Sequence, residues 1–373
     1  MKDSASETTG GDLFDNSPQT LTTLLREGGV LSDARVSDLE VIPLTLGQTA
    51  NTERIIPRYD REQEGAPASF IRKFHSDALA EINLGSGGSL KEKYLREFRF
   101  YQLIGENSAM KIPRCYGSCL EEKTGRFTLL LEDFGKTCFR QAGAATLEEI
   151  AVATQGLAKM HGRTLENPEL PDYPWLVKHD DFQAALSERY EKAMETFFER
   201  FDSYLSPLRQ RLTRQITHAA KPIVNKLTTA PHALVHGDFH QDNMAFFNAP
   251  QEIGLVDWQH VGWGCPTIDL TRWFLYANTA QPLDEAQETK LLQDYHLILT
   301  RESNCADFPF EQLQELHRFT VLRIWMEISE AYTQMRTEDI EKFTRMDIGS
   351  LLNLGTAFME KSWVADQLDS LAS

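Results

Sequence analysis

The stretch HGDFHQDN at positions 236–243 is the densest cluster of polar residues in the chain. Apolar residues flank it at 233–235 and at 244–247, so the pattern predicts a polar loop held between two strands. Loops supported in this way commonly present catalytic side chains. A second apolar run, at 253–256, ends in the carboxylate of Asp257. These two segments are therefore the candidate site.

Three side chains of these segments match what phosphoryl transfer from a nucleotide requires. Such a transfer needs a carboxylate that accepts the proton of the attacking hydroxyl, an oxygen ligand for Mg²⁺ and a second carboxylate on the same metal. Asp238, Asn243 and Asp257 supply these groups in that order. Five positions separate Asp238 from Asn243, which is enough for one loop to present both side chains.

Composition places the chain among ordinary globular proteins. It has 373 residues, of which 41% are hydrophobic and 25% charged, and the length predicts two domains or lobes. The net charge of −17 argues against binding to nucleic acid or to an anionic membrane surface, because like charges repel. No apolar run approaches the length of a membrane-spanning helix, and residues 1–20 lack the apolar stretch of a secretory signal. The five scattered cysteines do not form a disulfide framework, so a cytoplasmic location is expected.

The chain divides into a strand-rich part and a helical part. Residues 1–19 are rich in small polar residues and predict a disordered tail. One helix, at 90–104, interrupts a series of short runs rich in β-formers. After position 135, apolar residues recur at helical spacing around a β-rich island at 232–258. We therefore predict an α+β fold, with a small antiparallel β-sheet lobe that carries one main helix and a larger, mainly helical lobe. The predicted strands are 39–46, 54–59, 69–74 and 127–131.

The two polar segments also resemble a known signature. HGDFHQDN followed by VDWQ at 256–259 is similar to the HGD-x4-N and (I/V)D-x motifs of the aminoglycoside phosphotransferase and choline-kinase-like superfamily, and most of all to its ecdysteroid-kinase-like branch. The resemblance implies a two-lobed, protein-kinase-like fold. It places a nucleotide-binding lobe at 20–135, a hinge at 132–136, and a helical lobe with the catalytic loop and the acceptor pocket at 136–373.

The resemblance also implies roles for individual residues. Asp238 would be the catalytic base, and Asn243 and Asp257 would be the Mg²⁺ ligands. Asp269 matches an aspartate that braces the catalytic loop. The other matches are to nucleotide-binding positions of the family. Its phosphate-covering loop corresponds to Gly47, Gln48 and Thr49, and its strand lysine, with the helix glutamate that holds it, to Lys73 and Glu97. Its adenine-binding hinge corresponds to Glu132 and Phe134.

Some of these positions leave alternatives open. Arg72 precedes Lys73, and a shift of the strand register by one residue would turn the other side chain towards the phosphates. Lys73 fits the family's strand better, since an ammonium is the usual partner of the phosphates at that position. The phosphate-covering loop has Ala50 where a second glycine would ease the approach of the backbone. His240 fits an orienting role better than that of a proton carrier, because Asp238 already fills the latter.

The predicted activity is that of an ATP-dependent small-molecule kinase, which moves the γ-phosphate of MgATP to a hydroxyl of a small metabolite. Gly237 stands where protein kinases have an arginine, and no D-F-G motif occurs at Asp257, so a polypeptide acceptor is not expected. Two other functions remain open. One is a catalytically silent pseudokinase or nucleotide-binding regulator. The other, which is favoured less, is a binuclear metallohydrolase built on the alternating His and Asp residues of 236–242. The sequence leaves the acceptor and the oligomeric state open.

Overall fold

The structure, a computed structural model, describes residues 13–44, 50–76, 89–105, 108–135, 138–139, 144–247, 252–277, 281–303, 307–344 and 346–372. The chain forms two compact units. Unit 1 comprises residues 1–136 and 254–259, and unit 2 comprises residues 137–253 and 260–373. The short segment 254–259 contains Asp257, so this residue belongs to unit 1 although the chain on either side of the segment belongs to unit 2.

Unit 1 is built on an antiparallel sheet. Its strands are β1 (Val36–Leu44), β2 (Asn51–Tyr59), β3 (Phe70–Phe74), β4 (Cys115–Glu121) and β5 (Arg126–Glu132), in the order β1-β2-β3-β5-β4. β3 is the central strand, where Lys73 pairs with Thr52 on one side and with Leu129 on the other. Pairing on both sides fixes the register of β3, and with it the face on which each side chain lies.

Four of these strands overlap the predicted runs, whereas β4 has no counterpart among them. Its sequence, CYGSCLE, contains Gly117 and Ser118, and glycine in particular is a poor strand former. The segment is a strand because it pairs along β5, from Glu121 with Arg126 to Cys115 with Leu131. Tertiary pairing thus supplies what local propensity lacks.

Two helices lie in the described part of unit 1. Helix α1 (Pro18–Glu27) begins after Ser17, whose side chain accepts a hydrogen bond from the backbone N–H of Thr20. Proline suits the first helical position because it needs no N–H partner there, so α1 starts inside the segment 1–19 that was predicted to be disordered. Helix α2 (Leu90–Leu103) begins with a capping box formed by Ser89 and Glu92, and it agrees with the predicted helix at 90–104.

Unit 2 is mainly helical. Its helices are α3 (Leu147–Thr164), α4 (His179–Phe201), α5 (Pro207–His218), α6 (Ala220–Thr228), α7 (Thr267–Tyr276), α8 (Glu285–Glu302), α9 (Phe310–Gln334), α10 (Thr337–Thr344), α11 (Ile348–Gly355) and α12 (Trp363–Ala372). In the core, the ring of Phe197 on α4 meets the edge of Trp325 on α9, and both side chains are buried. Among the residues described, no helix is long and apolar enough to cross a membrane.

Short strands hold the polar loop of unit 2. β6 (Val177–Lys178), β10 (Gly262–Gly264) and β7 (Ala233–Val235) form one sheet in that order, and β8 (Met244–Phe247) pairs with β9 (Glu252–Leu255). Residues 236–243 connect β7 to β8, as the flanking apolar residues predict. The expected α+β composition, with a small antiparallel sheet and many helices, is confirmed.

Candidate functional site

Lys73 of unit 1 is held between two carboxylates. Its Nζ donates to Oε1 of Glu97 at 2.9 Å and to Oδ1 of Asp257 at 2.7 Å. The side chains of Lys73 and Glu97 are 11% and 1% exposed. Burial by itself lowers the pKa of Lys73, but the carboxylates of Asp257 and Glu97 outweigh it and raise that pKa above its ordinary value. The ammonium is therefore protonated at neutral pH and suited to bind an anion.

Arg72 makes its contacts on the other face of β3. Its Nη1 donates to Oε1 of Glu53 at 2.7 Å, and its Nη2 donates to the carbonyl of Phe14 at 2.5 Å. Neighbouring residues of a strand point to opposite faces, so the two cations have separate partners. The register of unit 1 places Lys73, and not Arg72, beside Glu97.

The segment that carries Asp257 is packed on helix α2. Nη1 of Arg96 donates to the carbonyl of Gln259 at 2.7 Å, and the rings of Phe100 and Trp258 stack with centroids 3.8 Å apart. Asp257 itself has φ +65°, a left-handed conformation that costs a non-glycine residue about 1–3 kcal/mol. Strain of this size persists where the surroundings fix the backbone, and here it sets the direction of the carboxylate.

The polar loop of unit 2 surrounds Asp238 with hydrogen-bond donors and positive charge. Nδ2 of Asn243 donates to the backbone carbonyl of Asp238 at 2.9 Å and approaches its Oδ2 at 3.4 Å. Nε2 of His240 lies 3.2 Å from the same Oδ2. Nη1 of Arg272, on α7, lies 3.8 Å from Oδ1.

These neighbours keep the Asp238 carboxyl ionised. Burial raises its pKa, but the hydrogen bond from His240 and the positive charges of His240, Arg272 and His260 lower the pKa of Asp238 far below its ordinary value. The same contact acts on the imidazole. Burial lowers the pKa of His240, and its bond to Asp238 raises that pKa by more. His240 thus makes a direct contact with the carboxylate of Asp238.

Asp269 supports the start of this loop. Its carboxylate accepts the backbone N–H groups of His236 at 2.6 Å and of Gly237 at 2.9 Å, and Nε2 of His161 lies 3.3 Å away. Gly237 has φ +80°, and a Cβ there would lie 2.3 Å from the carbonyl oxygen of His260. Only glycine fits at this position without a shift of the backbone.

Sequence reasoning did not identify a second layer of charge behind Asp238. Arg272 donates through Nη2 to Oε2 of Glu327 at 2.9 Å, and Nη1 of Arg323 donates to the same oxygen at 2.8 Å. Nε of Arg323 donates to Gln183 at 3.0 Å. A signal for Arg272 does exist in the sequence. It follows Asp269 by three positions, a spacing that puts two residues on the same face of a helix such as α7.

The predicted hinge lies at the end of β5 and is held by a residue that the sequence did not single out. Asp133 accepts hydrogen bonds from Nε of Arg54 at 2.6 Å and from Oγ of Ser69 at 2.8 Å. Glu132 beside it donates its backbone N–H to the carbonyl of Arg114 at 2.8 Å. These bonds fix the backbone from Glu132 to Phe134.

The remaining nucleotide-binding positions of the sequence hypothesis fall in the phosphate-covering loop. Gly47, Gln48 and Thr49 lie outside the residues that the structure describes.

The two proposed metal positions offer the donor atoms that Mg²⁺ prefers, which are carboxylate and amide oxygens. The amide group of Asn243 uses its NH₂ towards Asp238, and its Oδ1 has no hydrogen-bond partner in the described part of the chain. In unit 1, Oδ2 of Asp257 accepts a bond of 3.3 Å from Nε2 of Gln259. Each residue therefore carries an oxygen donor of the kind that magnesium prefers.

The fold is the protein-kinase-like fold that solved phosphotransferases share. A solved structure from Ralstonia eutropha, assigned as an aminoglycoside phosphotransferase, is 13% identical to the chain, with a TM-score of 0.54 over 95% of this chain and 98% of that one. Two other structures score lower. Aminoglycoside phosphotransferase APH(3'')-Id from Streptomyces rimosus, in complex with ADP and streptomycin, is 15% identical over 84% of this chain and 98% of that one, with a TM-score of 0.46. Choline kinase LicA from Streptococcus pneumoniae is 12% identical over 90% and 95%, with a TM-score of 0.45. The protein-kinase-like fold that the resemblance implies is confirmed.

A match to a family model assigns the chain to one family. Residues 92–306 match the model of the Ecdysteroid kinase-like family, and because this match spans more than half of the chain, the chain belongs to that family. The branch of the superfamily predicted from the two polar motifs is thus confirmed. No protein with a curated description is significantly similar to the chain in sequence.

Proposed function

We propose that the chain is an ATP-dependent kinase of small molecules, that is, a phosphotransferase with an alcohol group as acceptor. The observation that carries this proposal is the contact of Lys73 with both Glu97 and Asp257. Two carboxylates keep the buried ammonium charged and fix its position, which suits it to bind the α- and β-phosphates of a nucleotide. Membership of the Ecdysteroid kinase-like family supports the same activity.

Asp238 orients the acceptor hydroxyl in the proposed reaction. The oxygen of that hydroxyl bonds to the γ-phosphorus, the bond from this phosphorus to the β–γ bridging oxygen breaks, and the proton of the hydroxyl passes to the Asp238 carboxylate. A carboxylate with a strongly lowered pKa is a weak base, so it takes the proton only once the new bond is forming. Orientation is therefore its larger contribution, as expected for the loose transition state of phosphoryl transfer.

Asn243 and Asp257 would hold the Mg²⁺ ion, which when bound neutralises charge on the β- and γ-phosphate oxygens. The contacts of their side chains prepare them for this role. The bond from Nδ2 of Asn243 to the carbonyl of Asp238 orients the amide oxygen, and the strained backbone of Asp257 orients its carboxylate. Glu132 and Phe134 are the proposed adenine contacts.

A product assay tests the activity. Purified protein is incubated with MgATP and a panel of hydroxylated metabolites, ADP release is measured, and mass spectrometry identifies an acceptor that has gained a phosphate. Asp238→Asn should lower the transfer rate by about 10²–10⁴-fold, the usual contribution of a general base, while the affinity for MgATP is unchanged. The matched control is Asp242→Asn in the same loop, because the side chain of Asp242 is 58% exposed and should be dispensable.

The same assay separates the alternatives. Binding of MgATP without transfer to any acceptor would support a pseudokinase or nucleotide-binding regulator, and an unchanged rate in Asp238→Asn would show that another residue is the base. A binuclear metallohydrolase would release product without ATP. Among the residues described, no group of three or more His, Cys, Asp or Glu side chains is placed to hold a metal ion, which favours the kinase over the hydrolase.

A further inference from the structure

The sheet of unit 1 carries an arginine on the same face as Lys73. Residues that pair directly in an antiparallel sheet point to the same face. Arg54 on β2 pairs with Ile42 on β1 and with Ile71 on β3. Ile71 lies two positions before Lys73 on its strand, so all four side chains share one face of the sheet. The proposed reaction gives Arg54 no role beyond its bond to the hinge.

The row formed by Ile42, Arg54 and Ile71 is accessible to a ligand. All three side chains are half-buried. On the opposite face of the sheet, Ile55 and Phe70 have no accessible surface, because they pack with the leucines of α1. Two aliphatic side chains thus flank a planar guanidinium on an accessible surface, and this arrangement suits a flat ring more than a compact ion.

Asp133 fixes the plane of this guanidinium. Nε of Arg54 donates to Oδ2 of Asp133 at 2.6 Å, and Nη2 donates to Oδ1 at 3.0 Å. A two-point contact of this kind sets the orientation of both planar groups. The carboxylate is itself held, because it accepts Oγ of Ser69 at 2.8 Å and the backbone N–H of Gly135 at 2.9 Å. The two opposite charges compensate each other, so the pair is rigid and has no net charge.

Part of the guanidinium stays open to a ligand. The side chain of Arg54 is 20% exposed, whereas that of Asp133 is 7% exposed. The contacts to Asp133 use Nε and Nη2, and Nη1 makes no hydrogen bond within the described part of the chain while it retains accessible surface. A guanidinium is weakly hydrated for a cation and stacks readily on aromatic rings. The open part of Arg54 is therefore a surface for a flat, neutral ring.

The separation of Arg54 from Lys73 fits the length of a nucleotide. Lys73 lies two positions beyond the residue that pairs with Arg54, and such diagonal neighbours are about 7–8 Å apart. From there the side chain of Arg54 reaches Asp133, which lies between Glu132 and Phe134, the proposed adenine contacts. A nucleotide held by its α- and β-phosphates at Lys73 thus has room for its ribose before the base reaches Arg54.

We propose that Arg54 binds the base of the nucleotide, with its guanidinium, held in plane by Asp133, stacked on the ring beside Ile71. This inference rests on the proposed function, because it assumes that Lys73 binds the phosphates of the same nucleotide. A rigid partner loses little freedom on binding, which increases the affinity that one stacked group contributes. Arg54→Lys isolates this role, since lysine keeps the charge near Asp133 but lacks the planar group that stacks.

Calorimetry of the full chain measures the contribution of the base. The two ligands are MgATP and magnesium tripolyphosphate, which has the three phosphates without the base. Arg54→Lys should weaken MgATP binding by about three- to tenfold, the usual value of a cation–π contact, and leave tripolyphosphate binding unchanged. The control is Arg58→Lys on the same strand, which should change neither constant, because Arg58 is 80% exposed and pairs with Asp38 at the surface. An unchanged MgATP constant in Arg54→Lys, or equal losses for both ligands, would overturn the proposal.

NMR of the chain with ¹⁵N-labelled arginine detects the stacking itself. The Nε–H signal of Arg54 is identified by its loss in Arg54→Lys, and the bond to Asp133 slows the exchange of this proton with water. MgATP should shift the signal upfield through the ring current of adenine, and tripolyphosphate should not. Equal shifts from both ligands, or a wild type that binds both equally tightly, would overturn the role of Arg54 while the phosphate site at Lys73 stands. A wild type that binds neither ligand would overturn the proposed function, and this inference with it.

Discussion

The Nζ atom of Lys73 lies 2.7 Å from Oδ1 of Asp257, which follows it by 184 residues in the chain. The segment 254–259 leaves the helical unit and packs on α2, so the chain brings this carboxylate back to the strand that holds the lysine. The second partner of Lys73, Glu97, lies on the same helix. One ammonium thus joins β3, α2 and a distant segment, and its removal should affect all three.

Lys73→Met and Arg72→Met should separate catalysis from stability. Each variant removes the cation of a buried ion pair and should cost about 3–5 kcal/mol in the free energy of unfolding. Only Lys73→Met should lower phosphoryl transfer, by roughly 100-fold or more, since Arg72 binds Glu53 and Phe14 on the other face of β3. Urea unfolding and the ADP-release assay measure the two effects. Equal losses of activity would show that the defect comes from stability alone.

Asp257→Asn and Asp257→Val should differ in stability although both lose the carboxylate. Asparagine tolerates the φ of +65° at this position, whereas a β-branched residue does not. We expect Asp257→Val to unfold with a free energy about 1–2 kcal/mol lower than Asp257→Asn. Both should weaken the Mg²⁺-dependent part of nucleotide binding, measured by calorimetry with and without the metal. Equal unfolding free energies would contradict the strain at this residue.

Much of the fold could be predicted because its signals are local. The capped helix α2 and the apolar periodicity of α3, α4 and α9 appear in the sequence itself. β4 could not be predicted in the same way, since its Gly and Ser residues become a strand only by pairing with β5. Helix α1 was not among the predicted elements. Its start depends on the capping bond of Ser17 and on Pro18 as the first helical residue, and the small polar composition of 1–19 does not reveal these contacts.

The candidate site likewise has residues that the sequence reveals and residues that only the tertiary structure brings together. Asp238, Asn243 and Asp257 lie in motifs whose spacing identifies them, and the alternation of a strand explains why Lys73 rather than Arg72 meets Glu97. The groups that tune these residues come from distant positions and have no motif. Arg272, Glu327 and Arg323 are examples, because only the packing of α7 against α9 brings them together. A sequence shows which residues carry chemistry more readily than which residues set their pKa.

Gly237→Ala should be far more damaging than Gly65→Ala. Both glycines have a similar left-handed backbone, with φ +80° and φ +78°, so both variants incur the conformational cost of about 1–2 kcal/mol. A Cβ at Gly65 would meet nothing within 4 Å, whereas one at Gly237 would lie 2.3 Å from the carbonyl of His260. The difference between the thermal unfolding of the two variants measures the part of the destabilisation that comes from the steric clash at Gly237. Equal losses of stability would mean that the loop from 236 to 243 accommodates the Cβ without cost.

Glu288 should make unit 2 sensitive to acid. Its carboxylate lies 3.2 Å from Nε2 of His317 and 2.5 Å from Nζ of Lys361. Burial raises the pKa of Glu288, but these partners outweigh it and lower that pKa to about 2 from 4.5. A lowered carboxyl pKa stabilises the folded state above the unfolded pKa, by about 3 kcal/mol here, and this contribution is lost as the pH falls from about 4.5 towards 2.

The variant Glu288→Gln tests this acid sensitivity. It should unfold more easily than the wild type at pH 7, and the difference should shrink as the pH falls below about 4.5, where the wild-type carboxylate becomes protonated in the unfolded state. The control is Glu285→Gln in the first turn of the same helix, where the side chain is exposed. Parallel curves of unfolding free energy against pH for the wild type and Glu288→Gln would contradict the proposed linkage.

Arg272 should contribute to turnover more than to nucleotide binding. Its guanidinium lies 3.8 Å from Asp238 and donates to Glu327, so it both neutralises and positions the carboxylate that we propose orients the acceptor. Arg272→Met should lower kcat by roughly 10- to 100-fold through misplacement of Asp238 and leave the MgATP dissociation constant unchanged. Arg272→Lys, which keeps the charge, should recover part of the rate. Arg163→Met serves as the control, because that side chain is 54% exposed and pairs with Glu302 on the surface. A loss of nucleotide affinity that parallels the loss of kcat would instead assign Arg272 a structural role.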